Sequence, residues 1–126
     1  MSKEMTLNEY QVKAMSTCLP SCENFSYMFL NLVGEVGEFA GKMAKHIRKE
    51  HYTVVGDVIA HGKRVDDIED KTAAWNDLKS ECGDILWQLT GLCEMMGWRL
   101  EDVAQQNINK LAARKEQGTI ITHTDH

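Results

Sequence analysis

The sequence predicts an all-α protein, a helical bundle of about four helices, on three observations. Apolar residues recur at alternating steps of three and four along two long segments, which is the spacing of packed helices. The chain has one proline and few β-branched runs, a composition that favours helices over sheet. Capping residues and glycines divide it into four segments of helical length. We therefore predict a single domain over residues 1–126.

The first half of the chain holds two predicted helices. Thr6 and Glu9 form a capping box, which begins a helix over roughly 7–17. Pro20 ends that segment because its ring is incompatible with a continuing helix. A second, much longer helix is expected over about 24–49, and it carries the first of the two apolar seams.

An insertion and a third helix follow. Residues 52–66 contain two glycines around a short apolar run, so a loop, a short hairpin or a helical turn is expected there. Asp66 and Asp67 are candidate caps for a third helix that reaches Met96. Gly97 suits the position just beyond that helix, where a left-handed backbone conformation is common.

The last part of the chain holds a fourth predicted helix, over about 100–115, with Gly118 beyond it. The remaining segment, 119–126, is short and polar apart from two isoleucines. We expect this tail to be mobile, as chain ends without packing partners usually are.

Composition and charge exclude several classes of function. The 126 residues are 43% hydrophobic, enough for an ordinary core. The formal net charge of −5 argues against binding polymeric nucleic acid, which requires a basic surface. No stretch approaches the length of a membrane span, and the polar, charged N-terminus does not resemble a signal peptide. The expected location is the cytoplasm, with no membrane contact.

The four cysteines are interpreted as reduced thiols, with a structural zinc site as the alternative. Cys18 and Cys22 are close in sequence, but no second pair of cysteines or histidines has the spacing of a zinc site. Cys82 lies on the second apolar seam, and Cys93 is close to it.

Two pairs of acids are the most informative feature of the chain. Glu35 with Glu38, and Glu81 with Asp84, each have i,i+3 spacing, which places both members on one face of a helix. Each pair flanks its apolar seam in the same register. The first seam is Phe25, Phe29, Leu32, Val36, Phe39 and Met43, and the second is Trp75, Leu78, Cys82, Ile85, Leu89, Leu92 and Met96.

The matched register predicts that the four carboxylates meet. In an antiparallel helix pair the corresponding flanks face each other, and both pairs lie at a similar depth from the connecting segment. Four acids gathered without a cation would repel one another and raise their pKa values. A divalent metal resolves that conflict, and ligands made only of oxygen favour Mg²⁺, with Mn²⁺ as a possible substitute.

Three segments together resemble the MazG-like, all-α nucleoside triphosphate pyrophosphohydrolases. The run 32–38 (LVGEVGE) and the run 81–87 (ECGDILW) are similar to the family's EExxE and ExxD motifs, with Gly34 in place of the first glutamate. The run 107–114 (NINKLAAR) is similar to its N-x-x-K-L-x-x-R ending. The resemblance covers about 24–118 and implies the family's helical fold.

This resemblance implies a reaction. Family members cleave a nucleoside triphosphate to the monophosphate and pyrophosphate with Mg²⁺, by attack of water on the α-phosphorus, and they assemble as homodimers or homotetramers. Carried over by position, the metal ligands are Glu35, Glu38, Glu81 and Asp84. Glu38 is the first candidate to accept the proton of the water, with Glu35 as the second catalytic acid. A deoxynucleoside triphosphate is the favoured substrate.

Five further residues are candidates for substrate binding, each with an ordinary structural interpretation beside it. Lys110 and Arg114, with Asn107 on the same helical face, fit a phosphate tail, but cations near a helix C-terminus also stabilise its dipole. Lys45 follows the first acid pair on the same stripe. Trp87 either stacks on a base or packs in the core.

Two alternatives remain at the level of sequence. The first is a non-catalytic helical assembly protein that binds metal or nucleotide, which would bind nucleotide with Mg²⁺ but release no pyrophosphate. The second is a related pyrophosphohydrolase acting on dUTP or phosphoribosyl-ATP, which only substrate preference would separate.

Overall fold

The computed structural model describes residues 4–63 and 68–118, with side chains in the third helix described from Thr72 onward. The described chain is an all-α fold with one small hairpin, as the sequence predicts. Its elements are α1 (Leu7–Met15), α2 (Phe25–Arg48), β1 (Tyr52–Val55), β2 (Val58–His61), α3 (Ile68–Met95) and α4 (Leu100–Glu116), with a 3₁₀ turn at Pro20–Cys22.

The capping residues at the start of the chain act as predicted. The Thr6 hydroxyl accepts a hydrogen bond from the Glu9 amide at 3.1 Å, and the Glu9 carboxylate accepts one from the Thr6 amide at 3.2 Å. Helix α1 ends at Met15, two residues before the expected boundary. The side chain of Asn24 caps α2 by accepting a hydrogen bond from the Tyr27 amide at 2.8 Å.

The insertion forms a β-hairpin, one of the three possibilities left open by the sequence. Strands β1 and β2 pair antiparallel, with Val55 opposite Val58. Gly56 and Asp57 between them have φ angles of +55° and +66°, which is the left-handed geometry of a two-residue hairpin turn. The predicted caps Asp66 and Asp67 lie outside the described residues.

Helix α3 ends as the glycine predicts. Gly97 has a φ of +74°, and its amide donates to the Glu94 carbonyl at 3.1 Å. The Trp98 amide donates to the Cys93 carbonyl at 2.9 Å. These two bonds are the Schellman motif, which satisfies the last carbonyls of the helix and turns the chain toward α4. The C-terminal tail 119–126 lies outside the described residues.

The antiparallel pair α2–α3 is the centre of the fold. Met28, near the start of α2, is fully buried beside Gly91, near the end of α3. At the other end of the pair, Phe39 and Met43 pack against a buried cluster of Tyr52, Ala74 and Leu78. The hairpin therefore closes the end of the helix pair, while α1 packs across α3 and α4.

Both apolar seams are only partly covered, contrary to the expectation that they would be packed along their length. Phe25, Phe29, Val36 and Trp75 are each 45–52% exposed. The rings of Phe25 and Phe29 stack on each other at 5.8 Å rather than entering a core. The reason is that α1 and α4 lie against α3 and leave the outer face of α2 open.

The four cysteines are free thiols, as predicted. Within the described ranges, no helix has the length and apolar character required to cross a lipid bilayer.

Candidate active site

Three of the predicted acids meet on the facing edges of α2 and α3. Glu35, Glu38 and Glu81 each contribute a carboxylate oxygen, and these oxygens lie within 4.8 Å of one another. Asp84 is exposed, one helical turn beyond Glu81, and its charge acts on Glu35. The matched register of the two acid pairs thus produces one acidic edge.

Glu35 shows the electrostatic conflict of this edge. Its pKa is raised above the ordinary value of a glutamate, first because burial disfavours the charged form. The negative charges of Glu38, Asp84 and Glu81 raise the pKa further. An acid in this position is stabilised in its charged form only when positive charge arrives.

Two buried carboxylate oxygens in the site have no hydrogen-bond donor among the described residues: Glu35 Oε2 and Glu81 Oε2. Glu81 itself is 4% exposed. A buried oxygen without a hydrogen-bond donor destabilises the folded protein. Here the two oxygens also belong to carboxylates whose negative charges repel each other. Hard oxygen donors, close spacing and missing donors together fit a divalent cation such as Mg²⁺ or Mn²⁺.

Two lysines and a histidine lie directly beside the acids. The Lys42 ammonium is 2.7 Å from Glu81 Oε1 and 2.8 Å from Asp77 Oδ1. Lys45 Nζ and His46 Nε2 lie 3.3 Å and 2.9 Å from the other Asp77 oxygen, Oδ2. Hydrogen bonds from Lys42 and then His46 hold the pKa of Asp77 well below its usual range.

Two histidines extend this group toward the hairpin. His46 and His51 are both buried, at 5% and 7% exposure. Their Nδ1 atoms lie 3.1 Å apart, so one ring donates to the other. The polar network therefore runs from the acidic edge through Asp77 to the residue that precedes β1.

Comparisons with known proteins identify the family to which this chain belongs. A family model for the MazG nucleotide pyrophosphohydrolase domain matches residues 23–119. The chain belongs to the MazG nucleotide pyrophosphohydrolase family. It is also 32% identical over 123 residues to "Gene 37 protein" of Mycobacterium phage L5, covering 92% of this chain and 94% of that protein. No solved structure matches it significantly.

Membership of the MazG family agrees with the chemistry of the acidic edge. MazG proteins are generally metal-dependent, and the clustered carboxylates of Glu35, Glu38 and Glu81 could hold a metal ion. Glu35, Glu38, Glu81 and Asp84 all fall within the part of the chain that the family model matches.

Trp87 is held in place by α1. Its indole N–H donates to the Ala14 carbonyl at 3.1 Å and to the Thr17 hydroxyl at 3.0 Å. These bonds fix one edge of the indole ring. The packing interpretation of Trp87 therefore explains how its indole N–H is satisfied. Base stacking by Trp87 stays a prediction.

Three of the substrate-binding candidates lie on α4. Asn107 and Lys110 are exposed, and Arg114 is half-buried, on a helix whose main contacts are with α1 and α3. The acidic oxygens, in contrast, lie where α2 meets α3. The role of Asn107, Lys110 and Arg114 as phosphate ligands stays a prediction.

Sequence reasoning missed two residues near the site. Asp77 precedes Glu81 by one helical turn and lies on the same face, which is a readable signal. Tyr10 comes from α1, and the charge of Asp84 together with burial raises the pKa of its phenol. Because Tyr10 is distant from Asp84 in sequence, no local pattern could have identified it.

Proposed function

We propose that this protein is a Mg²⁺-dependent nucleoside triphosphate pyrophosphohydrolase that releases a nucleoside monophosphate and pyrophosphate. The observation that carries the proposal is the convergence of Glu35, Glu38 and Glu81 within 4.8 Å in a chain of the MazG family. A triphosphate is too negative to approach such a group alone, so the acids and the substrate require a shared cation.

Glu35, Glu38, Glu81 and Asp84 would hold the metal. When bound, Mg²⁺ would hold phosphate oxygens and offset the charge that develops on the leaving pyrophosphate. The buried oxygens of Glu35 and Glu81 would gain the partners that they lack among the described residues. Gly34 replaces a further family carboxylate, and its backbone is open: a Cβ there would meet nothing within 4 Å.

Glu38 is the proposed general base. It is the exposed member of the close triad, so it can reach a water molecule at the open side of the site. Such a water would attack the α-phosphorus in line with the departing pyrophosphate and transfer its proton to the Glu38 carboxylate. Glu35, whose pKa is raised, lies on the less exposed side of the site, where its carboxylate would offset the charge of the bound metal.

The triphosphate tail would be bound by cations around the acidic edge. Lys45 Nζ lies 3.3 Å from Asp77 Oδ2, and Asp77 is one helical turn from Glu81. Asn107, Lys110 and Arg114 would complete the phosphate site from α4 of a second copy, because α4 packs away from α2 within the chain. Trp87 is a candidate for stacking on the base, although its indole N–H is already bonded to α1 and the turn after it. The proposed substrate is a deoxynucleoside triphosphate.

A homodimer or homotetramer is the proposed assembly. The outer face of α2 presents Phe29, Leu30, Val33 and Val36 at 45–66% exposure. A contiguous apolar face on a helix that also carries the metal ligands is typical of a surface covered by another subunit. The second copy would both bury this face and supply the phosphate ligands.

The deciding experiment is an incubation of the purified protein with each common NTP and dNTP plus Mg²⁺, followed by separation of the products. Monophosphate with pyrophosphate supports the proposal, and the ranking of rates identifies the substrate. Diphosphate with orthophosphate would contradict it. A folded protein that binds nucleotide with Mg²⁺ but turns none over would instead indicate the non-catalytic binding function.

Substitution of the proposed base gives the first prediction. Glu38→Gln should reduce the rate of pyrophosphate release at least about a hundredfold, because the amide neither accepts the proton nor binds the metal well. The circular dichroism spectrum and melting temperature should stay close to wild type, since Glu38 is exposed. Wild-type turnover by Glu38→Gln would remove this residue from the site.

A further inference from the structure

Lys42 lies between two carboxylates at the edge of the proposed metal site. Its ammonium donates to Glu81 Oε1 at 2.7 Å and to Asp77 Oδ1 at 2.8 Å. Glu81 belongs to the close triad of acids, whereas Asp77 does not. One lysine thus bridges a proposed metal ligand and a neighbouring carboxylate.

Lys42 holds one oxygen of the Glu81 carboxylate, and the other oxygen is open to a metal. Of the two oxygens of Glu81, Oε1 accepts from Lys42 and Oε2 has no donor among the described residues. Because the Glu81 side chain is 6% exposed, water cannot easily replace the lysine there. An ammonium and a divalent cation close to one buried carboxylate also repel each other.

Asp77 offers the ammonium a second position. It lies one turn from Glu81 on the same helix, and its low pKa keeps it charged. Its oxygens already accept from Lys42, Lys45 and His46, which holds the carboxylate in a fixed orientation. Lys42 can therefore leave Glu81 and keep its contact with Asp77.

We propose that Lys42 competes with the divalent cation for Glu81, and that Asp77 is the positioning residue that retains the displaced ammonium beside the site. The inference rests on the proposed function, because it needs a cation bound at the acidic edge. Its consequence is that the protein alone binds the metal weakly, and that metal entry places a lysine ammonium next to the position of the substrate phosphates.

The test measures Mn²⁺ binding to the protein alone, without nucleotide, at pH 8. The signal of free Mn²⁺ in electron paramagnetic resonance gives the dissociation constant. Lys42→Met should tighten Mn²⁺ binding about tenfold, the effect of removing one charge-assisted hydrogen bond from the competing state. Lys42→Arg keeps the charge and should stay within about threefold of wild type.

Lys45→Met is the matched control. Lys45 lies on the same helix and contacts the same Asp77, at 3.3 Å. General loss of positive charge would tighten binding to a similar degree in both methionine variants. Competition for Glu81 predicts that Lys45→Met changes the Mn²⁺ dissociation constant by less than about threefold, because the charge of Lys45 acts from farther away.

A double-mutant cycle tests the role of Asp77. Asp77→Asn should weaken Mn²⁺ binding about fivefold, because the displaced ammonium loses its acceptor. In the Lys42→Met background the same change should cost less than about twofold, since no ammonium needs to be held. An equal loss in both backgrounds would show that Asp77 acts only through its own charge and would overturn its positioning role.

The inference and the proposed function fail in different ways. Wild-type Mn²⁺ binding with no tightening in Lys42→Met, or equal tightening in Lys45→Met, overturns the competition alone. A second outcome is that the wild type binds Mn²⁺ and the variants behave as expected, but no pyrophosphate is released. This outcome supports the competition and overturns the proposed reaction. Absence of Mn²⁺ binding by both the wild-type protein and Lys42→Met overturns both.

Discussion

Glu35 combines burial with repulsion from neighbouring acids, so the charge needed for metal binding destabilises the folded protein. Its pKa is raised by burial first and then by Glu38, Asp84 and Glu81. A group with a raised carboxyl pKa in the folded state disfavours folding when it is ionised, so stability should increase as pH falls through that raised pKa toward the ordinary glutamate value.

Glu35→Gln should therefore separate stability from activity. In excess chelator at pH 8, we expect the melting temperature to rise by about 2 °C, because the amide removes one buried charge. Turnover with Mg²⁺ should fall at least about a hundredfold. Thermal melts with chelator, set beside pyrophosphate release, check both effects. A lower melting temperature in the variant would mean that the acids are not in conflict.

Asp77 has the opposite pH dependence. Its folded pKa is depressed by hydrogen bonds from Lys42 and His46, so its contribution to stability is present above the ordinary carboxyl pKa and is lost as pH falls through the folded value. Asp77→Asn should melt at a lower temperature than wild type at pH 7. The difference should shrink below about pH 4, where unfolded aspartate is protonated.

Thermal melts of both proteins between pH 7 and pH 3 measure this linkage. The expected result is that the two melting curves converge as the buffer becomes more acidic. A difference that is constant with pH would show that Asp77 contributes by packing alone.

At the scale of elements, the close approach of α2 and α3 depends on one glycine. A Cβ on Gly91 would collide with the side chain of Met28, which is fully buried. Gly91→Ala should lower the free energy of unfolding by about 2 kcal/mol, as overpacking of a core does. Urea denaturation measures this difference.

Gly83 is the matched control for that prediction. It lies on the same helix, and a Cβ there meets nothing within 4 Å. Gly83→Ala should raise the free energy of unfolding by up to about 1 kcal/mol, because alanine has the higher helix propensity. Equal destabilisation by both substitutions would contradict the contact between Gly91 and Met28.

At the scale of the whole molecule, the outer face of α2 exposes apolar side chains that a single chain leaves uncovered. Leu30 and Val33 are 66% and 61% exposed, one turn apart on that face. We expect light scattering after size-exclusion chromatography to show a dimer or tetramer. Leu30→Glu with Val33→Glu should dissociate it, because charges would be buried in the interface.

Val12→Glu is the control for this experiment. Val12 is 73% exposed on α1, away from the α2 face. This substitution should leave the oligomer intact. A wild-type protein that is monomeric at micromolar concentration would contradict the proposed assembly, and with it the supply of phosphate ligands from a second copy.

Local chemistry explains why so much of the fold was predictable. The capping box at Thr6, the left-handed Gly97 and the long amphipathic helices depend on residues close in sequence, so their signals can be read directly. The hairpin was one of three options, because β-branched residues around Gly56 suit a strand pair but are too few to exclude a helical turn.

The acids followed from sequence, and their surroundings did not. Matched spacing placed Glu35, Glu38 and Glu81 on facing flanks, since helical geometry is regular. Lys42, His46 and Asp77 have ordinary polar patterns on their own helices, and only the antiparallel alignment of α2 with α3 joins them.

The sequence by itself determined the helical class, most element boundaries, the acid pairs and the resemblance to the MazG family. Each depends on spacing along one helix or on a motif. The tertiary structure decided which oxygens are buried without donors, which lysine lies against Glu81 and which apolar face remains open. These depend on the alignment and packing of whole helices, which the hydrophobic effect drives without regard to sequence distance.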